Sequence, residues 1–214
     1  MNNSRIMIGL LFAALFSIAP ALFGQTAIIV YADDITEVTL TRSGRGAAAP
    51  VAQIGASIDV NTTIETGATG LELQLQPSGS IVRIAEDTVF AIESMNRQAN
   101  GTDHAFRLDT GKIRTVVATL RGDDRFTVRT PTAVAGVRGT DFVNRVIPGQ
   151  TDWVCVQEGA VTFTRRSDDT SILVRAGAFA DAIGDTFAPE AIGPEQLQEL
   201  FSDVQFVELD PGQV

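Results

Sequence analysis

Short runs of alternating apolar and polar residues dominate the chain after residue 33, and Gly, Asp, Asn or Pro bounds each run. One run carries Leu71, Leu73 and Leu75, and another carries Phe126 and Val128. Alternation with a period of two places apolar side chains on one face of a β-strand and polar side chains on the other. The pattern predicts an all-β fold built from many short strands.

A weak internal repeat predicts where these strands turn. An apolar residue is followed three positions later by Gly, and after two more positions by another apolar residue. The matches are Leu108-Gly111-Ile113, Val156-Gly159-Val161 and Val174-Gly177-Phe179, with Ile64-Gly67-Thr69 as a weaker fourth. Glycine accepts a positive φ at a strand corner. Stacked corners of one type indicate a β-solenoid or roll, and an antiparallel β-sandwich with short hairpins is the alternative.

Two polar segments predict connections between strands. Residues 76–80 contain Pro77 and Gly79 and are typical of a hairpin turn. Residues 96–103 are polar and predict a loop between two strands. His104, the only histidine, borders that loop, and we expect it to face solvent.

One segment near the C-terminus has the periodicity of a helix. Gly193 and Pro194 come first, and proline suits the first helical position. The apolar residues that follow at spacings of three, four and seven are Leu197, Leu200, Phe201 and Val204. We expect a short amphipathic helix within residues 189–214 that docks on the sheet, with partner binding through these four residues as the alternative.

The charge of the chain excludes some classes of partner. Its 26 acidic and 16 basic residues give a formal net charge of −10, and Lys112 is the only lysine. An acidic surface repels phosphate backbones, so we expect no nucleic-acid partner. Cys155 is the only cysteine, which rules out an intramolecular disulfide. It lies in an apolar run and is interpreted as a buried small hydrophobe, with an intermolecular disulfide or a reactive thiol as the alternatives.

The first 32 residues have the composition of an export signal. Arg5 precedes an apolar stretch, residues 6–19, and Pro20 follows it. We expect residues 1–32 to be a signal peptide, cut preferably after Ala32 or otherwise after Gly24, with an uncleaved membrane anchor as the alternative. The protein is then periplasmic or secreted, and it meets a membrane only through this segment if the segment is not cleaved.

No pattern for catalysis, metal binding or cofactor binding stands out. A single His and a single Cys do not supply a zinc site or a histidine-based triad. The segment Gly136 to Thr140 lacks the lysine and the following helix of a phosphate-binding loop. We therefore predict a non-enzymatic protein without a metal or cofactor.

Several motifs in a fixed order resemble those of the FecR domain family. A Thr-Pro step is followed by an apolar strand that ends in Gly-Thr-x-Phe, and then by Val-x-Glu-Gly-x-Val. The residues concerned are Thr130, Pro131, Gly139, Thr140, Phe142, Glu158, Gly159 and Val161, with a turn at Gly79 and a corner at Gly111 upstream. The resemblance spans about residues 60–164 and lies within a predicted domain at 33–188.

The resemblance implies a periplasmic sensor domain and carries over no active site. It gives the glycines a role at corners and places Phe142 and Val161 in the core. The best-known members contact an outer-membrane receptor and control a sigma factor through a cytoplasmic segment. Only five residues precede the hydrophobic stretch here, so we expect no anti-sigma region.

The leading hypothesis from the sequence is an exported binding module of the cell envelope that engages a protein or a glycan. The two alternatives are an envelope protein that assembles into homo-oligomers and an anti-sigma-type signalling component.

Overall fold

The computed structural model describes residues 25–44, 50–98, 101–118, 122 and 124–206. Strands dominate these residues, together with one α-helix, α1 (Pro194–Phe201), and two short 3-10 helices, Ile35–Glu37 and Ser202–Val204. The strands in chain order are β1 (Thr26–Ala32), β2 (Val38–Arg42), β3 (Ser57–Ile58), β4 (Thr62–Thr66), β5 (Leu71–Gln76), β6 (Ile81–Ile84), β7 (Val89–Gln98), β8 (Gly101–Val116), β9 (Arg125–Arg129), β10 (Ala133–Val137), β11 (Asp141–Ile147), β12 (Thr151–Glu158), β13 (Ala160–Arg165), β14 (Ser171–Arg175), β15 (Ala178–Asp181) and β16 (Glu190–Ala191).

The strands form two sheets that share one long strand. Sheet A has the order β3-β1-β5-β6-β8-β11-β12-β15-β16, and sheet B has the order β2-β4-β7-β8-β9-β10-β13-β14. Residues 101–110 of β8 pair in sheet B, and residues 111–116 pair in sheet A. The strand pairs are antiparallel except β8 with β9, which is parallel. The prediction of an all-β roll with one short C-terminal helix is confirmed.

Inward-facing residues of both sheets form one continuous core. On sheet B the rings of Phe90 and Phe106 are stacked with centroids 5.5 Å apart, and those of Phe106 and Phe126 are 5.0 Å apart. Leu71 and Leu73 of sheet A are fully buried against the same cluster. The alternation in the sequence reflects this arrangement, since each strand directs every second side chain into the core.

The predicted glycine corners are the points where the chain passes from one sheet to the other. Gly111 has φ +94°, Gly159 has φ +82° and Gly177 has φ +76°. Gly139, which joins β10 to β11, has φ +67°. The weaker fourth match, Gly67, does not adopt this left-handed conformation. The predicted hairpin at residues 76–80 joins β5 and β6, and its Gly79 has φ +74°.

The first strand includes residues that the sequence prediction assigned to the export signal. In β1, Ala27 and Ile29 are fully buried, and the strand pairs with both β3 and β5. Cleavage after Ala32 would remove this strand, whereas cleavage after Gly24 would leave it intact. Residues 1–24 lie outside the described part of the chain, so the signal peptide itself stays a prediction. No helix among the described residues is long and apolar enough to span a bilayer.

The prediction of a loop at residues 96–103 beside an exposed histidine is wrong. β7 continues to Gln98 and β8 begins at Gly101, and residues 99 and 100 lie outside the described part. His104 is only 2% exposed, and its Nε2 lies 3.0 Å from the side-chain oxygen of Gln25. His104 is buried because alternate residues of a strand share one face, and it lies on the inward face of β8 with Phe106 and Leu108.

The corner glycines should differ in how much they contribute to stability. A Cβ at Gly159 would lie 2.6 Å from the carbonyl oxygen of Gly139, whereas a Cβ at Gly177 would meet no atom within 4 Å. Gly177→Ala should therefore cost only the strain of a left-handed residue, roughly 1–2 kcal/mol. Gly159→Ala should cost about 1–3 kcal/mol more because backbone must move. Urea denaturation of both variants checks this, and equal losses would contradict the close packing of the corner.

Candidate functional site

Two neighbouring corners of the domain pack directly on each other through the motif residues. Gly159 approaches the carbonyl group of Gly139 so closely that no side chain fits between them. The hydroxyl of Thr140 donates a hydrogen bond to the carbonyl oxygen of Ala160 at 3.0 Å. Glu158, just before the second corner, is exposed. The Gly-Thr and Glu-Gly pairs of the motif thus fix the relative position of two strand crossings.

A second part of the motif, the turn between β9 and β10, is fastened to the opposite sheet. Thr130 Oγ1 donates a hydrogen bond to Asp152 Oδ2 at 2.5 Å, and the backbone N–H of Thr132 donates to the same oxygen at 3.1 Å. The N–H of Ala133 donates to Thr130 Oγ1 at 2.9 Å. Pro131, between the two threonines, is exposed. The Thr-Pro turn of sheet B is therefore held by a carboxylate on β12 of sheet A.

Asp152 is a structural residue that the sequence analysis missed. It is fully buried, and its Oδ1 has no hydrogen-bond partner among the described residues. Burial raises the pKa of this carboxyl group, and hydrogen bonds from Thr130 and Thr132 oppose that rise. The sequence signal that could have indicated this role is an acidic residue at the start of the largely apolar strand β12, two positions after a turn.

The remaining motif residues occupy the positions that the resemblance implied for them. Phe142 and Val161 are fully buried in the core between the sheets. Gly111 lies at the bend of β8, where a Cβ would meet the side chain of Thr88. Gly111 lines a depression beside Lys112, and Thr130 and Pro131 line another beside Arg129.

The C-terminal helix packs on the outer face of sheet A at β11 and β12. Phe201 and Val204 are buried in a second apolar cluster with Val143, Trp153 and Cys155 of β11 and β12. Leu197 and Leu200 are partly buried against the same cluster. Docking on the sheet is thus the arrangement found in the single chain, with Phe201 and Val204 buried, and partner binding through these four residues stays a prediction.

Charged side chains on β8 fix the end of the helical segment to sheet A. Lys112 is 5% exposed and forms an ion pair with Asp203. Arg114 donates two hydrogen bonds to Asp141, at 3.0 and 2.8 Å, and lies over the ring of Phe201 at 5.1 Å. Packing and paired charge therefore both hold the C-terminal segment in place.

Within the described residues, the outer face of sheet B carries accessible arginines on its central strands. Arg107 on β8 lies 3.3 Å from Glu93 and also pairs with Asp109. Arg125 and Arg129, on β9, are exposed, and the side chain of Arg129 is 59% accessible. A shallow depression of about 410 Å³ between these strands and the Thr-Pro turn is lined by Arg107, Arg129 and Arg166 among other residues. A surface of this kind suits contact with another macromolecule better than enclosure of a small substrate.

Comparison with known proteins identifies the domain. A family model described as FecR protein matches residues 62–162. These residues belong to the FecR family. The resemblance predicted from the motifs is confirmed over these residues. No curated protein matches the chain significantly.

Solved structures share the fold of the FecR domain. Two crystal structures, at 1.65 and 2.50 Å resolution, show a protein from Parabacteroides distasonis that is described as an anti-sigma factor. They match with TM-scores of 0.53 and 0.52, each at 14% sequence identity. The match covers 64% of this chain and 62% of each neighbour, so the chain spans less than two thirds of their length. At this identity the likeness establishes the fold.

The two residues with the most reactive side-chain types are both buried in the FecR domain. Cys155 lies under the C-terminal helix, and burial raises the pKa of its thiol to about 12, which agrees with a packing role. His104 packs edge-on to Phe126 at 6.0 Å, and burial lowers its pKa. Within the described ranges, no group of three or more His, Cys, Asp or Glu side chains is arranged to hold a metal ion.

The buried carboxylate of Asp152 should give stability a characteristic pH dependence. A raised pKa in the folded state means that the folded chain holds this proton more tightly than the unfolded chain. The contribution of the Asp152 proton to the free energy of unfolding is then fully present below the ordinary pKa of 3.8. It is lost as the pH rises through the pKa of the folded state. Relative to Asp152→Asn, the wild type should be most stable at and below the ordinary pKa of 3.8 and should lose that advantage as the pH rises above it.

Urea denaturation of both proteins across this range provides the measurement. Asp168→Asn supplies a control of opposite sign, because a hydrogen bond from Arg165 lowers the pKa of the exposed Asp168. The contribution of ionised Asp168 to the free energy of unfolding is present above its ordinary pKa and is lost as the pH falls below that value. A difference between wild type and Asp152→Asn that stayed constant with pH would contradict a buried, titrating carboxylate.

Proposed function

We propose that this FecR domain is an exported, non-enzymatic sensing module of the cell envelope that binds a partner through the open face of sheet B. One observation carries the proposal. Among the described residues, the C-terminal helical segment packs on the outer face of sheet A at β8, β11 and β12, whereas arginines on β8 and β9 stay accessible on the outer face of sheet B. This face includes β9 and β10, which the Thr-Pro turn joins, so the hydrogen bonds that hold the turn also hold the face.

The charge on this face indicates the chemistry of the partner. The chain as a whole has a formal net charge of −10, yet Arg107, Arg125 and Arg129 lie on neighbouring strands of the open face. Arg107 is engaged by two carboxylates, whereas the nearest carboxylate oxygen to Arg129 is that of Glu93 at 4.0 Å. Arginine donates paired hydrogen bonds to carboxylates in a fixed geometry. An acidic protein surface is the partner that fits best, and an acidic envelope glycan offers the same chemistry.

The alternatives within the fold support binding less well. The C-terminal helix uses its two buried apolar residues, Phe201 and Val204, against sheet A. A depression beside Lys112 is lined by charged residues, and two of them, Lys112 and Asp203, already form an ion pair with each other. The open face therefore offers the larger free surface for recognition.

A matched pair of charge reversals tests the proposed surface. Arg129→Glu should weaken capture of the partner from an envelope extract about tenfold or more, because it removes a donor and adds repulsion toward an acidic surface. Arg145→Glu makes the same change on β11, where alternation places the side chain on the outer face of sheet A. That control should bind like the wild type.

The full-length chain is used for both variants, and circular dichroism confirms that each is folded. Binding that survives Arg129→Glu unchanged, or falls equally with Arg145→Glu, would contradict the open face as the site.

Export should leave a defined N-terminus. The buried strand β1 begins at Thr26 and pairs with β3 and β5, so a cut after Gly24 preserves the sheet. Mass spectrometry of protein recovered from the periplasm or medium should therefore show a mature chain that begins at Gln25. A chain that begins at Asp33 would contradict this expectation, because it would lack β1, and an uncut chain in the membrane fraction would support an anchor.

A further inference from the structure

The last strand of sheet B has an unpaired edge. Among the described residues, β14 pairs only with β13. The N–H of Arg165 donates to the carbonyl of Thr170 at 2.8 Å, and the N–H of Ala176 donates to that of Gly159 at 3.1 Å. Because antiparallel pairing alternates, residues 170, 172, 174 and 176 bond to β13. Ser171, Leu173 and Arg175 therefore direct their backbone N–H and C=O groups away from the sheet.

This edge also carries an exposed apolar side chain at its centre. Leu173 is 44% exposed, while Val174 on the opposite face of the strand is fully buried. β14 contains no proline or glycine, two residues that commonly protect an edge or bend it away. The end strands of sheet A, β3 and β16, are only two residues long. β2, at the other end of sheet B, presents exposed Thr39 and Thr41 instead of a large apolar residue.

We propose that β14 is a dimerisation edge that pairs with β14 of a second copy of this chain. The free positions are symmetric about Leu173, so an antiparallel pair with Leu173 opposite Leu173 satisfies every free backbone group on both strands. Ser171 of each copy then faces Arg175 of the other copy, and about six backbone hydrogen bonds form across the two-fold axis. A two-fold contact of this kind pairs the β14 edges of both copies with each other, so no third copy can add to them.

The charges beside β14 favour the antiparallel arrangement. Exposed Asp169 lies two residues before the strand, and exposed Arg175 ends it. An antiparallel pair brings the acidic end of one strand toward the basic end of the other, whereas a parallel pair would place like charges together. A second copy of this chain thus matches the edge in hydrogen bonding, apolar contact and charge.

The dimer does not depend on the proposed partner surface, and the two are separable by experiment. The two-fold axis of such a pair stands perpendicular to the sheet, so the open faces of both copies point to the same side. Sheet B would then continue across the contact and would present Arg129 twice on one surface. A dimeric partner, or two adjacent acidic sites, would bind such a surface with increased avidity.

Disulfide trapping tests both the contact and its register. Directly opposed residues in a hydrogen-bonded antiparallel pair have Cα atoms about 5.5 Å apart, which a disulfide can span. Oxidised Leu173→Cys should therefore run as a covalent dimer on a non-reducing gel. The native Cys155 is fully buried, so its thiol does not compete. Thr39→Cys, on the exposed edge strand at the other end of the same sheet, should stay monomeric.

A mixture of two further variants fixes the register. Ser171→Cys and Arg175→Cys should each give little dimer alone and should form a mixed disulfide when combined. Leu173→Arg should shift the wild-type dimer to monomer in sedimentation velocity, with an unchanged circular dichroism spectrum because the side chain it replaces is exposed. A monomeric wild type at all concentrations, absent trapping of Leu173→Cys, or trapping of Thr39→Cys to the same extent would overturn the proposal.

Discussion

The structure depends on corners at which the backbone turns through a conformation that only glycine adopts without strain. At Gly111, Gly139, Gly159 and Gly177 the chain leaves one sheet and enters the other with a positive φ. Two of these corners are also in contact, because Gly159 packs on the carbonyl of Gly139. Because these two corners are in contact, neither can move along its strands without moving the other. They therefore set the register of the strands on either side, and the register decides which side chains face the core.

This dependence explains why much of the fold could be predicted from the sequence. The spacing of glycine after Leu108, Val156 and Val174 marks three corners, and alternation marks the strands between them. Both signals are local, and both report the backbone geometry directly. The same local view explains the errors. Polarity around residues 96–103 suggested a loop, although the parity of His104 with Phe106 placed the histidine in the core.

The candidate surfaces were less predictable because they arise from contacts between distant parts of the chain. Asp152 holds Thr130 across the two sheets, and nothing in either local segment shows that they meet. β1 was hidden because it follows closely on the apolar stretch at residues 6–19 and continues the same hydrophobic character. Arg129 became informative only when the structure showed that its side chain is exposed on β9, beside Arg107 of β8. The arrangement of covered and uncovered faces is a property of the assembled fold.

The strand β8, which belongs to both sheets, has a mechanical consequence. Its residue Arg107 lies on the open face of sheet B, and Lys112, beyond the bend at Gly111, holds the C-terminal segment on sheet A through Asp203. The two side chains are five residues apart on one continuous covalent segment, a span of about 16 Å at the rise of an extended strand. A displacement of β8 at Arg107 would therefore be transmitted through hydrogen-bonded backbone to Lys112, and through its ion pair with Asp203 to the C-terminal segment.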